Sequence, residues 1–185
     1  MQINNKSILG SYKFKTIFRG QENMKAKSNS IVMTEEEIDA FLSEQRVGTL
    51  CLGDGQSSYG VPLAYFYGDK VIYLTLGPGG RKSGYVEKNK NVCFSVHWLD
   101  PDYGKGKRSW KSVICDGTLE RVTNPDEIVG AGRAAEKHMG MPQGAFDPIL
   151  QMTLKNPAAS NFWRINITKR GGKGVVDFEE TFEEE

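Results

Sequence analysis

The sequence lacks an apolar run that could cross a membrane, since a transmembrane helix needs about 20 consecutive apolar residues. It also lacks a continuous apolar stretch after its first lysines, which argues against a secretory signal. An excess of either charge is missing too, because 24 Lys and Arg residues against 23 Asp and Glu residues give a net charge of +1. Dedicated nucleic-acid-binding proteins usually carry a strong basic excess. The sequence therefore predicts a protein with neither a membrane nor a nucleic-acid partner.

Cysteine is scarce, with three residues at Cys51, Cys93 and Cys115. Each lies in a separate apolar, strand-like run, and the number is odd. This pattern favours buried free thiols over metal ligands or a disulfide, so no metal site is predicted. Free thiols in turn predict a cytoplasmic setting.

The chain of 185 residues has room for one domain with a hydrophobic core. Its two ends differ in charge: the first 33 residues carry six basic residues and one acid, and the last nine carry six acids and no base. Such segments are typical of solvated, mobile ends. We predict a flexible N-terminal extension over 1–33, one domain over 34–176 and an acidic tail over 177–185.

Hydrophobic patterning predicts a mainly β domain. Runs rich in β-branched and aromatic residues predict strands at 47–52, 59–67, 70–76, 92–98, 109–121 and 160–168. Helices are predicted at 35–45, 82–89 and 125–138, the first capped by Thr34 and the third by Asn124. Gly68-Asp69 indicates a hairpin, and Pro62 places its strand at an edge or a bulge. Residues 140–158 are predicted to be irregular, and Gly171-Gly172 to end the last strand. About six antiparallel strands with short helices predict a β-barrel.

The segment 75–83 carries the strongest chemical signal. A predicted strand ends there, glycines allow a tight turn, and Arg81, Lys82 and Ser83 follow where a helix begins. Free amides at a helix start beside two cations are typical of a phosphate or carboxylate pocket. The pattern nearly matches a nucleotide-binding P-loop, but Arg81 replaces its second glycine and the neighbouring strands look antiparallel. From the residues alone, an ordinary solvated loop with two surface cations remains an equal alternative.

The order of the segments adds a resemblance. The helix TEEEIDAFL, the strands RVGTLCL, GVPLAYFY and IYLTL, and then GRKSGYVEKNKNVCFSV follow one another as they do in a known family. Over about 33–176 the chain resembles the pyridoxamine 5′-phosphate oxidase-like proteins, in particular the branch that includes the nitroimidazole-resistance proteins. The resemblance implies a six-stranded antiparallel split β-barrel of the FMN-binding type. It also implies a homodimer with two FMN molecules in clefts between the subunits.

The resemblance also implies the residues that contact the cofactor. They are Arg81, Lys82, Ser83 and Thr75 around the FMN phosphate; Val61, Pro62 and Leu63 along the isoalloxazine; Ser109, Lys111 and Ser112 as donors near its N1–C2 edge; and Trp163 at the intersubunit cleft. Members of the nitroimidazole-resistance branch often place a histidine where this sequence has Leu74-Thr75. That specific activity is therefore not implied.

The function that follows is an FMN-dependent oxidoreductase that acts on a small molecule with a small-molecule reductant. No residue of the sequence stands out as its catalytic acid or base. A flavin carrier or sensor on the same fold is the first alternative. A haem-binding relative with His97 as axial ligand, or F420 in place of FMN, are the others. His138 is interpreted as a cation at the end of a helix, where the helix dipole favours positive charge.

Overall fold

The structure is a computed structural model that describes residues 30–175. Its elements, in chain order, are β1 (Ile31–Val32), α1 (Glu35–Glu44), β2 (Val47–Gly53), β3 (Ser58–Gly68), β4 (Val71–Thr75), α2 (Arg81–Lys88), β5 (Asn91–Leu99), β6 (Trp110–Arg121), α3 (Pro125–Met139), α4 (Asp147–Leu154), a 3-10 turn (Pro157–Ala159) and β7 (Phe162–Val175). Six strands close into an antiparallel barrel in the order β7-β4-β3-β2-β5-β6, with β6 pairing back to β7. The short β1 pairs with the far end of β7. The predicted six-stranded antiparallel barrel is confirmed.

The barrel encloses one main core of alternating inward side chains. Along β2, Gly48, Leu50 and Leu52 are buried, whereas Thr49 and Cys51 between them are only half-buried. This is the period of two expected for a strand with one buried face. A second, smaller core lies between α3, α4 and the outer side of β7, with Ile128, Leu150 and Phe162 buried in it. The two cores fix α1 and α3 against the barrel.

The predicted helix caps are confirmed. The Thr34 hydroxyl accepts a hydrogen bond from the Glu37 amide at 3.2 Å, and the Glu37 carboxylate accepts one from the Thr34 amide at 2.7 Å. The Asn124 side chain accepts hydrogen bonds from the amides at 126 and 127, at 2.9 and 3.1 Å. Such caps satisfy amides that have no partner within the helix. These local signals set where α1 and α3 begin.

The hairpin between β3 and β4 is confirmed, with its turn one residue later than predicted. Gly68 pairs with Val71, and Asp69 and Lys70 take positive φ angles of 50° and 61°. Two consecutive positive φ angles are typical of the tight turn that matches strand twist. Pro62 pairs with Thr49 of β2, whereas β4 pairs with β3 only from Tyr65 onward. Pro62 therefore lies at an open edge, as its missing amide requires.

Two predicted boundaries are wrong. The region 140–158 is not wholly irregular, because α4 runs from Asp147 to Leu154 with Pro148 in its first turn, where proline is tolerated. The last strand does not end at Gly171-Gly172: β7 continues to Val175, paired with β6 throughout.

The N-terminal bound of the predicted domain differs from expectation. Ile31 and Val32 pair with Gly174 and Lys173, so residues 31–32 belong to the sheet rather than to the predicted extension. The rest of that extension, up to residue 29, and the acidic tail at 177–185 lie outside the described residues. Between residues 30 and 175 no helix has the length and apolar character needed to span a membrane.

Candidate functional site

The start of α2 follows a tight glycine turn. Gly79 and Gly80 both take a φ of 77°, a conformation that side chains disfavour, and the chain turns there from β4 into the helix. No side chain caps the first amides of α2. The Ser83 hydroxyl instead donates to the Gly79 carbonyl at 2.8 Å, which fixes the turn. The turn thus leaves the amide end of a helix dipole open to an anion.

Arg81 lies against two tyrosine rings. Its guanidinium carbon is 4.6 Å from the centre of the Tyr59 ring and 5.8 Å from that of Tyr85, and the two rings stack with centroids 5.6 Å apart. The Tyr85 hydroxyl is 2.9 Å from the Ser57 hydroxyl. This hydrogen bond, and to a lesser extent the one that Arg81 donates, lowers the pKa of Tyr85. Among the described residues no carboxylate pairs with Arg81. Its positive charge is therefore held in place by aromatic contacts and is not neutralised.

Lys82 points to a different face of α2 from Arg81, because consecutive helix residues are separated by about 100°. Its ammonium contacts the Gly79 carbonyl at 3.4 Å, and together with Ser83 it lines a cavity at the end of the barrel. The predicted group of Arg81, Lys82 and Ser83 is thus divided. Lys82 and Ser83 share the cavity, and Arg81 faces Tyr59 on β3.

Beside Arg81 runs the open edge of β3, residues 58–64, which pair with β2 but not with β4. The Tyr65 amide donates to the Arg46 carbonyl at 3.2 Å, toward β2. Backbone groups alternate in direction along a strand, so those of Gly60, Pro62 and Ala64 face the open edge. These three residues are exposed, whereas Val61 and Leu63 are half-buried and pack against the main core.

Of the predicted backbone contacts at 61–63, the structure places only those of Pro62 on the open edge. The same edge also carries the backbone groups of Gly60 and Ala64, which the sequence analysis did not name. Pro62 was the available signal for these residues. Because a proline has no amide to donate, its backbone faces the unpaired edge of the strand, and the residues two positions before and after it face the same edge. Thr75 is exposed at the end of β4, close along the chain to the same turn.

The predicted donors Ser109 and Lys111 lie far from α2. They line a separate cleft of about 350 Å³ with Trp98, Phe41 and Glu44. Lys111 pairs with Trp98 of β5. The strand β5 begins at Asn91, just after α2, so seven residues of strand separate Trp98 from the α2 end of the barrel. At about 3.4 Å per residue, that is roughly 24 Å. Within one chain these donors and Arg81 are at opposite ends of the barrel.

Ser112 lies on the outer face of the barrel, paired with the exposed His97. This outer face, formed by β3, β2, β5 and β6, carries a row of uncharged residues in register: Pro62, Thr49, Ser95 and Ile114. Val47 and Ile114 are 57% and 48% exposed.

Trp163 is buried at the cavity that Lys82 and Ser83 line. The Lys90 ammonium is 5.2 Å and the Arg121 guanidinium 4.6 Å from the centre of its ring. Its indole nitrogen is buried and has no hydrogen-bond partner. Sequence reasoning singled out Trp163 but could not find the two cations, which come from distant parts of the chain.

In the described part of the chain, no group of three or more His, Cys, Asp or Glu residues is arranged to hold a metal ion. The three thiols are free; Cys115 is buried, and Cys51 and Cys93 are half-buried. Burial raises the pKa of Cys93 to about 11 and that of Cys115 to about 12. Free thiols are confirmed, with full burial only at Cys115.

The interpretation of His138 as a helix-end cation is wrong. The side chain is 6% exposed, and its Nε2 donates to the Gln45 carbonyl at 2.8 Å. Nδ1 accepts from the Tyr67 amide at 3.4 Å, which requires a neutral ring. Burial lowers the pKa of His138. The residue joins α3 to β3 and the end of α1.

Comparison with known proteins supports the sequence-based resemblance. The family model described as pyridoxamine 5′-phosphate oxidase matches residues 34–173. An FAD-binding protein from Mesorhizobium loti is 26% identical with a TM-score of 0.57, over 79% of this chain and 98% of that chain. No curated protein matches the sequence.

Two more distant structures share the fold. A candidate 5-nitroimidazole antibiotic resistance protein from Bacteroides thetaiotaomicron is 21% identical with a TM-score of 0.62, over 78% of this chain and 87% of that chain. An FAD and haem binding protein from Mycobacterium smegmatis is 15% identical with a TM-score of 0.62, over 83% of this chain and 77% of that chain. At these identities the likeness concerns the fold alone.

Proposed function

Because the chain belongs to the pyridoxamine 5′-phosphate oxidase family, we propose that it binds FMN and uses it in the oxidation or reduction of a small molecule. The observation that carries the proposal is the position of Arg81, an unneutralised cation at the open start of α2, directly beside the open edge of β3. A flavin mononucleotide needs an anion site at one end and a flat surface with polar groups along the rest.

The residues present fit the phosphate. The first amides of α2 and the guanidinium of Arg81 together supply donors and positive charge. The stacked rings of Tyr59 and Tyr85 hold that guanidinium in a fixed plane, which suits the two-pronged contact that Arg makes with phosphate. Thr75, exposed at the end of β4, adds a hydroxyl near the same turn. Lys82, whose ammonium contacts the Gly79 carbonyl at the same turn, adds a second positive charge near the phosphate.

The residues also fit the ring system. Pro62 and Ala64 are small, exposed and uncharged, so a planar ring can approach the strand closely. The amides of Gly60 and Ala64 and the carbonyl of Pro62 face the open edge and lack a strand partner. They can bond the polar rim of the ring. When bound there, a flavin supplies hydride chemistry that no side chain of this site provides.

A homodimer would bring the separated groups together, and we include it in the proposal. Ser109 and Lys111 lie at the opposite end of the barrel from Arg81, so a second copy is needed to place them near the same cofactor. The outer face, with its uncharged row and the exposed Val47 and Ile114, is the surface suited to that contact. A closed two-fold dimer buries the same patch of both copies. Ile114→Arg should then yield monomers in sedimentation experiments and weaken FMN binding, whereas the exposed Met152→Arg on α4 should do neither.

The phosphate contact is tested by flavin titrations of apoprotein. Loss of one charge-assisted contact costs about 1.5–3 kcal/mol, so Arg81→Gln should weaken FMN binding about 10- to 150-fold. Riboflavin, which lacks the phosphate, should bind both proteins equally. Lys155→Gln, which removes an exposed cation after α4, serves as the control. Unchanged FMN affinity in Arg81→Gln would refute the phosphate placement.

Turnover separates an enzyme from a flavin carrier or sensor. The side chains along the open edge of β3 include no carboxylate or histidine among the described residues, which favours the carrier as second candidate. An oxidoreductase should bleach its flavin absorption with NADH or NADPH and recover it with a small-molecule acceptor, in repeated cycles. A carrier should show neither. Identification of the cofactor released on denaturation distinguishes FMN from FAD, F420 and haem.

A further inference from the structure

Two of the three free thiols lie side by side on the outer face of the barrel. Cys51 of β2 and Cys93 of β5 are direct partners in the antiparallel register of these strands. Both are half-buried, whereas the residues before and after each of them are buried in the main core. Side chains alternate between the two faces of a strand, so both thiols point outward on the same face. The third cysteine, Cys115, is buried inside the barrel.

The two cysteines form a backbone hydrogen-bonded pair of the sheet. The backbone groups of Gly60 face the open edge of β3, so those of its β2 partner Cys51 face β5. The Lys90 carbonyl accepts from the Leu119 amide, toward β6, so the backbone groups of Cys93, three residues later, face β2. The Cα atoms of such a pair are about 5.5 Å apart. This separation lies within the range of about 4.4–6.8 Å that a disulfide spans.

The pair needs only a small movement to form a disulfide. Side chains directly opposite one another have Cβ atoms about 4.5–5.5 Å apart, and a disulfide requires about 3.5–4.5 Å. The two Cβ atoms must therefore approach each other by roughly 1 Å. A disulfide that holds two strands under such a constraint is reduced more readily than a relaxed one. The position is thus suited to a bond that forms and breaks repeatedly.

The two thiols differ in their surroundings. Burial, and after it the neighbouring Cys51 and Asp116, raises the pKa of Cys93 to about 11. Asp116 is the direct partner of Cys93 on β6. Cys93 is therefore protonated at neutral pH. Because the thiolate is the nucleophile in disulfide exchange, the first attack falls to Cys51.

We propose that Cys51 and Cys93 form a reversible disulfide by exchange with a small-molecule disulfide. The Cys51 sulfur loses its proton and attacks one sulfur of that molecule, so a mixed disulfide forms, the S–S bond of the reagent breaks and one small thiol leaves. Cys93 then loses its proton and attacks the Cys51 sulfur, so the protein disulfide forms and a second small thiol leaves. Two electrons and two protons pass to the reagent, and excess small-molecule thiol reverses both steps.

The exchange makes the chain responsive to the thiol–disulfide balance of its surroundings. It uses no flavin and does not rest on the proposed function. Both cysteines belong to one chain, so the bond forms without a second copy.

Equilibration of the full chain in mixtures of reduced and oxidised glutathione tests the proposal. After alkylation of the remaining thiols, mass spectrometry should show one thiol per chain and a peptide that links Cys51 to Cys93. The effective concentration of the pair should be at least tenfold higher in the folded chain than in urea, because the sheet holds the thiols together. A linkage through Cys115, a glutathione adduct that never closes, or an equal effective concentration in urea would overturn the proposal.

Variants test the order of attack. Cys93→Ser should stop at the mixed disulfide on Cys51, and Cys51→Ser should form the adduct on Cys93 at least tenfold more slowly. Cys115→Ala is the matched control and should close the disulfide as the wild type does. Equal adduct rates in Cys93→Ser and Cys51→Ser would show that the assigned order is wrong.

A last variant separates a bond within one chain from a bond between copies. Ile114→Arg places a charge on the outer face, at the surface proposed for the dimer. It should keep the link between Cys51 and Cys93 at the wild-type effective concentration. Loss of the link in Ile114→Arg, or covalent dimers of the wild type on a non-reducing gel, would assign the bond to two chains and refute the cross-strand pair.

Discussion

Two adjacent glycines in β7 differ sharply in their surroundings, and alanine at each should have opposite effects. A Cβ on Gly172 would lie 2.7 Å from the Met33 sulfur and 3.0 Å from the Ile38 Cγ1. Met33 is flexible, but Ile38 is 2% exposed and fixed in the main core. A Cβ on Gly171 would meet nothing within 4 Å. Neither glycine has a positive φ, so backbone strain does not contribute to the difference.

The magnitude follows from the contacts. Overpacking of a buried site costs about 1–3 kcal/mol, so Gly172→Ala should lower the free energy of unfolding by that amount. For a domain of this size the Tm should fall by about 3–9 °C. Gly171→Ala should raise the free energy of unfolding by about 0.5 kcal/mol, because glycine is disfavoured within a strand.

Urea and thermal unfolding, followed by circular dichroism at equal protein concentration, measure both variants. Met33→Ala combined with Gly172→Ala should recover part of the loss, because the sulfur nearest to the new methyl group is removed. If Gly172→Ala proves as stable as Gly171→Ala, then α1 and Met33 do not pack on β7 as described.

Three further perturbations test other contacts. Burial lowers the pKa of His138 below its usual 6.5, so the unfolded chain takes up a proton at a higher pH than the folded protein does. The free energy of unfolding, measured with urea, should therefore fall as the pH decreases from 7.5 to 5.5. This fall should be smaller in His138→Gln and unchanged in His97→Gln, where the histidine is exposed. Asn124→Ala removes the cap of α3 and should lower the free energy of unfolding by about 1 kcal/mol in the same assay. Arg170→Gln removes the cation whose hydrogen bond lowers the pKa of Asp39. The pKa of the Asp39 carboxyl should therefore rise in an NMR titration. The free energy of unfolding at pH 7 should fall by roughly 1–3 kcal/mol.

Much of the fold could be predicted because its signals are local. The caps at Thr34 and Asn124 each depend on residues within one turn, and β-branched runs mark the strands. The errors arose where distant contacts decide. Pro148 suggested an irregular segment, but it occupies the first turn of α4, which packs on α3 through Leu150. Gly172 suggested a break, yet it is small because Met33 approaches it from another part of the chain.

The candidate site shows the same division. The chemical character of the start of α2 follows from neighbouring residues, so the sequence indicated an anion site there. The different directions of Arg81 and Lys82 depend on where the helix begins, which sequence patterns locate only to within a few residues. The cations around Trp163 come from Lys90, just after α2, and Arg121, at the end of β6, and only the closure of the barrel brings them together. No local pattern contains that information.

The pairing of β1 with the end of β7 has a practical consequence for protein engineering. Ile31 and Gly174 are direct partners across two strands, so the two ends of the described chain lie side by side. A linker of a few residues could join them into a circular permutant, with new termini opened in the exposed loop at 101–105. Labels attached near residues 31 and 174 would report on a single location, and their separation would measure directly whether this last pair of strands remains closed.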